Sequence, residues 1–324
     1  MNQEHDIVEA QQKINLMLES KKSITLLLVG RTGVGKSSTI NSLLGASVAP
    51  VGKFKPTTMS VASYLHQHGG LQYRVVDTPG LCDDLPEAGN DQRYLAAMRE
   101  TSGPVDCLLF VTELDATRVS SDERRGIRML TEAFGASIWE NALIIFTRAD
   151  KVGADDFESD LKERTGLIRE VIAAYAPLHA TYVPPVAVSN TSDKLPNGRA
   201  WLGELFTQIL MRLRHDATVP FLHSMRQDVG IDRPKAETKP SSRAEDPEGE
   251  TKQTRSGAGP EKPRIDLNKE QQEKVKKTVW DRILNGAAAG ATLGAKIGKP
   301  LGKFGEAIGA AVGAIGGGIL GWLF

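Results

Sequence analysis

A glycine-rich motif at residues 30–37 has the residue types and spacing of a phosphate-binding loop. It reads Gly-Arg-Thr-Gly-Val-Gly-Lys-Ser, ends an apolar run at 24–30 and opens a predicted helix at 37–44. Its backbone N–H groups can turn inward around a phosphate, and the helix N-terminus adds a positive dipole. Lys36 can reach the β- and γ-phosphates, where it is also the predicted catalytic cation. The motif predicts a nucleotide site built from Thr32, Gly33, Val34, Gly35, Lys36, Ser37 and Ser38.

A second motif, Asp-Thr-Pro-Gly at 77–80, supplies groups for a metal ion and for the terminal phosphate. The Asp77 carboxylate can hold a Mg²⁺-bound water, and the Gly80 N–H can sense the γ-phosphate. A threonine between residues 45 and 61 should close over the metal; Thr58 is the expected one and Thr57 the alternative. The predicted metal ligands are therefore Ser37, Thr58 and Asp77.

Two further motifs predict that the base is guanine. Thr147, Arg148 and Asp150 form a Thr-Arg-Ala-Asp sequence that is similar to the [NT]-K-x-D guanine box, with arginine in place of lysine. The Asp150 carboxylate would accept hydrogen bonds from guanine N1 and N2, which adenine cannot supply. Ser189 and Asn190 could contact guanine O6 through backbone N–H groups. The order and spacing of the motifs favour GTP over ATP.

The residue after the Asp-Thr-Pro-Gly motif indicates slow hydrolysis. Many GTPases carry a glutamine there that orients the attacking water, whereas this chain has Leu81, which has no hydrogen-bonding group. Arg118 could complete the site, including in trans across a dimer, and is the second predicted catalytic residue. The alternative is that Arg118 is a solvent-exposed or dimer-surface side chain.

Alternating apolar runs and helical patterns predict the elements that position these residues. Runs typical of buried strands lie at 24–30, 73–77, 106–111, 141–147 and 183–190. Helical patterns lie at 3–20, 37–44, 90–102, 121–134, 155–175 and 200–214. This alternation predicts a three-layer α/β fold of the P-loop GTPase type, with a mostly parallel sheet and helices on both of its faces.

Charge and cysteine content exclude several classes of function. The 40 acidic and 40 basic side chains cancel, so net charge gives no reason to expect a nucleic acid partner. Two cysteines, Cys82 and Cys107, cannot form a disulfide framework or a multi-thiolate metal site. With 40% hydrophobic residues, the chain is not disordered as a whole.

The last hundred residues differ in composition from the rest of the chain. Residues 230–262 are rich in Pro, Glu, Lys and Ser with almost no large apolar side chains, which predicts a disordered linker. Asn268 and Gln271 predict a capping box that opens a basic amphipathic helix. Twelve of the 32 glycines follow between 286 and 321, mostly four residues apart, which places them on one helix face.

The glycine-rich segment is predicted to associate with a membrane. The glycine register breaks at Lys299 and Pro300, which indicates two helices joined by a bend. Residues 307–324 carry no charge and would be about 27 Å long as a helix, near the lower limit for a bilayer span. We expect insertion as a tail anchor or helical hairpin. Surface binding by the basic helix, or a soluble helix packed on the domain, are the alternatives.

Four segments resemble the AIG-type G domain, the family of the immune-associated GIMAP proteins and the Toc-type GTPases of the chloroplast outer envelope. They are 30–45, 75–81, 106–123 and 134–150, and the lone helix before the first strand fits the same family. The segments LDATRV and FGASIW look especially like the Toc-type branch. The resemblance implies a septin-related GTPase that pairs across its nucleotide faces, with Arg118 at the family's dimer-contact position. It also implies membrane attachment through a C-terminal segment.

Together these observations predict four parts: an N-terminal helix at 1–20, an AIG-type GTPase domain at 21–228, a disordered linker at 229–267 and a membrane-associating tail at 268–324. The expected function is a dimerising switch that binds GTP or GDP with Mg²⁺ at a membrane surface. Its GTPase domain would face the cytosol, with an organelle outer envelope as one candidate membrane. A membrane-active glycine-zipper effector and a soluble GTPase in ribosome- or RNA-related assembly are the alternatives.

Overall fold

A computed structural model describes residues 3–51, 61–78, 90–230 and 264–285 of the 324-residue chain. A six-stranded sheet has the order β2-β3-β1-β4-β5-β6, in which β2 is antiparallel to β3 and every other pair is parallel. The strands are β1 Ser23–Val29, β2 Ala62–His68, β3 Leu71–Asp77, β4 Cys107–Glu113, β5 Ala142–Thr147 and β6 Pro185–Ala187.

Helices cover both faces of this sheet. They are α1 Gln3–Ser20, α2 Lys36–Leu44, α3 Asn90–Ser102, α4 Ser121–Phe134, α5 Phe157–Ala173, α6 Pro177–Ala180, α7 Trp201–Arg212, α8 Thr218–Met225 and α9 Lys269–Asn285. Short 3-10 turns lie at Ala136–Asn141, Ala149–Lys151 and His215–Ala217. The predicted three-layer α/β fold is confirmed.

Alternation along the strands divides the interior into two cores. On β1, Leu26 and Leu28 join the core formed with α1, α2, α7, α8 and α9, whereas Leu27 and Val29 join the core formed with α3, α4 and α5. Successive strand side chains point to opposite faces, so strands that are apolar at every position are covered on both sides. The continuous apolar runs in the sequence follow from this burial.

Strand β2 and helix α8 are among the elements that the sequence patterns did not indicate. Strand β2 lies at the edge of the sheet, and partly buried and exposed positions alternate along ASYLHQH, so it lacks the apolar run of the inner strands. Helix α8 contains Pro220 in its first turn, where the missing N–H is tolerated, and Phe221 and Leu222 are fully buried.

The C-terminal helix α9 returns to the domain. Its capping box forms as predicted: the Asn268 N–H donates to Gln271 Oε1 and the Gln271 N–H donates to Asn268 Oδ1, both at 2.9 Å. Val275, Val279 and Ile283 are buried in the core shared with α7 and α8. Burial of three such side chains contributes about 5 kcal/mol. The apolar side of this helix, which was predicted to belong to a membrane-associating tail, therefore packs on the protein.

The two ends of the predicted linker also pair with each other. Val229–Gly230 (β7) and Ile265–Asp266 (β8) form a short parallel ladder. Near it, Gly203 on α7 is so close to the Asp266 carbonyl that an added Cβ would lie 2.4 Å from its oxygen. Residues 231–263 and the glycine-rich segment from 286 onward lie outside the described residues. Within the described ranges, no helix combines the length and apolarity needed to cross a bilayer.

Candidate nucleotide site

The predicted phosphate-binding residues surround the start of α2. They are Thr32, Gly33, Val34, Gly35, Lys36, Ser37 and Ser38. At Gly30 an added Cβ would lie 2.1 Å from the Val111 carbonyl oxygen, so no other residue fits there without moving β4. Gly35 has φ 98°, a conformation that glycine adopts at little cost. These glycines bring the loop from β1 into the tight turn that aims the N-terminus of α2 at the carboxyl edge of the sheet.

Lys36 is buried inside this loop. Its Nζ donates hydrogen bonds to the carbonyl oxygens of Gly30 at 2.9 Å and Arg31 at 3.0 Å, and it lies 3.7 Å from Asp77 Oδ1. The side chain is 6% exposed, so its charge acts in a poorly hydrated site where electrostatic interactions are strong. The loop thus places one cation beside the end of β3.

Asp77 ends β3 with an oxygen that suits a hard cation. Its Oδ1 is buried and accepts no hydrogen bond from the described residues. Burial raises the pKa of this carboxyl, and the nearby Lys36 charge opposes that rise. The Thr78 N–H and hydroxyl both donate to the Leu28 carbonyl, which fixes the end of β3 against β1. An orphaned buried carboxylate oxygen at the edge where Ser37 lies fits the oxygen ligands that Mg²⁺ prefers.

The remaining predicted metal and phosphate residues are in the chain segments that the structure leaves undescribed. Thr58, its alternative Thr57, and Gly80 lie between 52 and 60 or between 79 and 89. Their roles therefore remain predictions, as does the effect of Leu81.

Thr147 joins the predicted guanine box to the phosphate loop. Its hydroxyl lies 2.7 Å from the Val34 carbonyl oxygen and 3.1 Å from that of Thr112. The next residue, Arg148, has φ 56°, which is uncommon for a residue other than glycine and costs about 1 kcal/mol. Its guanidinium pairs with Glu113 Oε1 at 2.8 Å. This strained turn directs Asp150 into the site.

Asp150 lies beside the loop after β6, as the predicted base site requires. The Ser189 hydroxyl donates to Asp150 Oδ1 at 3.0 Å. Partial burial raises the pKa of the Asp150 carboxyl, but hydrogen bonds from Ser189 and Thr191 outweigh this and hold the pKa below its ordinary value. The carboxylate is therefore anionic at neutral pH and can accept two hydrogen bonds from a base edge.

Asn190 takes a position that the sequence did not indicate. Its side-chain nitrogen lies 3.2 Å from Thr39 Oγ1 and 3.4 Å from the Gly35 carbonyl oxygen. The amide thereby connects the loop after β6 to the phosphate loop and to α2. The predicted contact of the Ser189 and Asn190 backbone N–H groups with guanine O6 stays a prediction.

A buried cluster of hydrogen-bonded polar side chains, which the sequence did not indicate, connects the elements that support the site. Arg164 on α5 donates to Glu123 Oε1 at 2.6 Å and to Thr112 Oγ1 at 3.1 Å, and the Thr112 hydroxyl also contacts Glu123. Glu123 completes a capping box with Ser120 at the start of α4. An arginine in the middle of a helix has no local sequence signal for a partner 41 residues away. The cluster fixes the segment that carries Arg118.

Arg118 lies in the 114–120 segment, which follows β4 at the same sheet edge. Its side chain is exposed and, among the described residues, forms no ion pair. A neighbouring pair joins the phosphate loop to α4, with Arg31 Nε 3.6 Å from Asp122 Oδ2. Arg118 is therefore exposed at the sheet edge that carries the phosphate loop, and its contact with a second molecule stays a prediction.

The fold and the site together define a P-loop nucleotide-binding protein of the three-layer α/β type. The AIG1 family model matches residues 24–178. Translocase of chloroplast 34 from Pisum sativum is 31% identical over 213 residues, which cover 60% of this chain and 67% of that protein. The chain belongs to the AIG1 family.

Other similar proteins include a much longer relative and two solved structures. Translocase of chloroplast 108 from Physcomitrium patens is 28% identical over 217 residues, and the match covers 61% of this chain but only 22% of that protein. Two crystal structures of Toc33 from Arabidopsis thaliana are 27% identical and cover 62% of this chain and 90% of theirs. A dimerisation-deficient mutant of Toc33 has a TM-score of 0.51, and the complex with GDP and Mg²⁺ has 0.50.

Proposed function

We propose that this chain binds GTP and GDP together with Mg²⁺ and hydrolyses GTP slowly. The observation that carries the proposal is the convergence of Lys36, Asp77 and Asp150 at the carboxyl ends of the parallel strands of one sheet. The Toc33 complex with GDP and Mg²⁺ supports this assignment of nucleotide and metal.

The phosphates would lie over the N-terminus of α2. Lys36 now donates to two carbonyls of its own loop, and nucleotide phosphates would replace these carbonyls as its acceptors. Backbone N–H groups of the loop and the helix dipole add partial positive charge. Ser37, Asp77 and Thr58 would hold Mg²⁺, which would neutralise charge on the β- and γ-phosphate oxygens.

The base would lie between Asp150 and the loop after β6. Asp150 would accept hydrogen bonds from guanine N1 and N2, and Ser189 keeps that carboxylate oriented. The Arg148 stem would lie along the base, held by its ion pair with Glu113. Thr147 contacts the phosphate loop, so the base and phosphate subsites share one rigid support.

Hydrolysis would depend on pairing through the nucleotide face. Leu81 cannot orient water, so turnover in a single copy should be slow. Arg118 from a second copy would supply positive charge to the transition state, a contribution on the order of 10³–10⁵ in rate. The dimerisation-deficient Toc33 mutant replaces an arginine with alanine, which supports a role of this kind.

We further propose that the chain acts as a nucleotide-regulated switch at a membrane, with residues 286–324 as the attachment and the GTPase domain in the cytosol. The apolar side of α9 is occupied by the domain, so that helix can contact lipid only through its polar side. The names of the chloroplast translocase relatives support an organelle envelope as the membrane. Balanced charge favours no nucleic acid partner.

Base selectivity tests the nucleotide assignment directly. Asp150→Asn should weaken binding of fluorescent GDP and GTP by about 100-fold and improve binding of xanthine nucleotides, because the amide donates where the carboxylate accepts. Asp155→Asn is the matched control, since Asp155 is an exposed acid five residues further along. An unchanged preference for guanine in Asp150→Asn would remove this residue from the base site.

A further inference from the structure

Three exposed apolar side chains lie at the end of the sheet opposite the nucleotide site. Tyr175, Leu178 and Tyr182 are 41%, 81% and 68% exposed. They lie between the end of α5 and the start of β6, and therefore at the amino ends of the parallel strands. Helix α5 has 17 residues and spans about 25 Å between the two ends of the domain. We call the surface of these three side chains the basal end.

The C-terminal helix also finishes at the basal end. Arg282, in the last turn of α9, lines a cavity of about 880 Å³ together with Val105, two residues before β4, and Asn141, the residue before β5. Because these residues stand at the amino ends of their strands, the cavity opens on the face away from the phosphate loop.

Side-chain contacts connect this cavity to the exposed apolar residues. Glu140 lines the cavity and its carboxylate lies 3.6 Å from the His179 ring in α6. Arg212 donates to the Glu140 carbonyl at 3.2 Å and also to the Tyr182 carbonyl. The end of α9, the cavity and the basal end therefore form one continuous surface.

The sequence beyond α9 indicates what this surface meets. Residues 286–324 continue from it, and the last 18 of them carry no charge. The chain leaves the described domain toward that segment at the end of α9, so the connection to a bilayer starts at the basal end. Tyrosine and leucine suit this position because tyrosine has an apolar ring and a polar hydroxyl, which together match the headgroup region.

We propose that the basal end rests on the lipid headgroup region through Tyr175, Leu178 and Tyr182, with the nucleotide face directed away from the bilayer. This inference rests on the membrane attachment proposed above. Copies held in this way on one bilayer present their nucleotide faces in the same direction. Two such faces meet only when they belong to facing bilayers or when a domain tilts off its basal end, so pairing and basal contact compete within one vesicle.

Depth-dependent fluorescence quenching tests the orientation in the full chain with GDP bound. Two variants each carry one introduced cysteine in a chain that also carries Cys82→Ser. One has the cysteine at Thr181, between Leu178 and Tyr182. The other has it at Asp155, just before α5 begins and therefore at the opposite end of that helix. Both positions are exposed, and Cys107 is fully buried. Each chain is labelled with a fluorophore and bound to phosphatidylcholine–phosphatidylglycerol vesicles with brominated acyl chains.

We expect about twofold quenching of the label at position 181 and none at position 155, because interfacial groups lie within about 10 Å of the acyl chains. Replacing Tyr175, Leu178 and Tyr182 together by serine should abolish the quenching while the chain still floats with the vesicles. Leu65→Ser is the matched control, since Leu65 is 60% exposed on the edge strand β2, and it should leave the quenching intact.

Three results would overturn the inference, and they are distinguishable from one another. A chain that floats but shows no quenching at position 181, or equal quenching at both positions, keeps the membrane attachment and refutes the orientation. A chain that does not float refutes both. A change in the fluorescence at position 181 that depends on protein concentration and needs no lipid would assign the basal end to a protein partner instead.

Discussion

At the scale of single residues, the ionised Asp77 carboxylate of the nucleotide site lowers the stability of the folded state. Burial raises the pKa of its carboxyl, which means that the folded state holds the ionised form less favourably than the unfolded chain does. Stability from such a group is present at low pH and declines as the pH rises through the folded pKa. Ionised Asp77 therefore destabilises the nucleotide-free protein at neutral pH, despite the Lys36 charge 3.7 Å away.

Asp77→Asn should accordingly raise the Tm of the nucleotide-free protein at pH 7 in the presence of a chelator. The gain should shrink as the pH is lowered, because the wild-type carboxyl then becomes protonated as well. Lys36 retains its two carbonyl acceptors in this variant. The same substitution should abolish the Mg²⁺ dependence of nucleotide affinity. Asp155→Asn controls for the loss of one negative charge, and a lower Tm in Asp77→Asn would contradict this account.

At the scale of elements, Arg164, Glu123 and Thr112 connect α5, α4 and β4 beneath the site. Arg164→Met and Glu123→Gln should each destabilise the fold by about 3 kcal/mol, because each leaves the partner charge buried and uncompensated. The double variant should lose less than the sum of the two. Urea unfolding of the wild type, the two single variants and the double variant gives four free energies of unfolding, from which the coupling energy of the Arg164–Glu123 pair follows. Strict additivity would show that the pair is not coupled.

Glu123→Gln keeps the local hydrogen bonds of residue 123, although it leaves Arg164 without its counter-charge. An amide can still contact Thr112, and it can still accept the Ser120 N–H in the capping box of α4. Arg128→Met is the control for loss of an arginine from a helix, since Arg128 is about half exposed. Its substitution should change stability by less than about 0.5 kcal/mol.

The inner strands and the longer helices could be predicted from the sequence, whereas the edge strand β2 and the short helix α8 could not. Helices α1, α3 and α4 have the predicted bounds because apolar periodicity is a local signal, to which α4 adds a capping box. Strand β2 and helix α8 depend on neighbours that local patterns do not reveal. The position of Asp150 followed from its motif, but its contact with Ser189 and the packing of Arg164 depend on residues that are far apart in sequence.

The apolar stripe of α9 illustrates the same limit. Val275, Val279 and Ile283 at spacings of four fit a membrane surface and a protein core equally well. The structure places them in the core because α7 and α8 present a complementary apolar face. Periodicity identifies a buried side of a helix but not what buries it.

At the scale of the whole molecule, catalysis should depend on protein concentration. If Arg118 acts across a dimer, GTP turnover per chain should rise with concentration and reach a plateau. Arg118→Ala should lower that plateau by at least about tenfold and remove most of the dependence. Arg124→Ala, an exposed arginine in the first turn of α4, is the matched control and should behave like the wild type. Turnover in Arg118→Ala equal to wild type at all concentrations would exclude the proposed role.

The C-terminal helix should remain bound even when the chain is cut between it and the rest of the domain. A protease site inserted after Ser256 allows cleavage between β7 and β8, whose pairing, together with the burial of Val275, Val279 and Ile283, should hold the two pieces together. The fragments should co-elute in size-exclusion chromatography. Val279→Asp should separate them, because it places a charge in the core, while Lys277→Asp, at an exposed position on the same helix, should not. Separation of the wild-type fragments would show that α9 is held only by its covalent connection, and the domain would then be a tethered module rather than one rigid unit with its C-terminal segment.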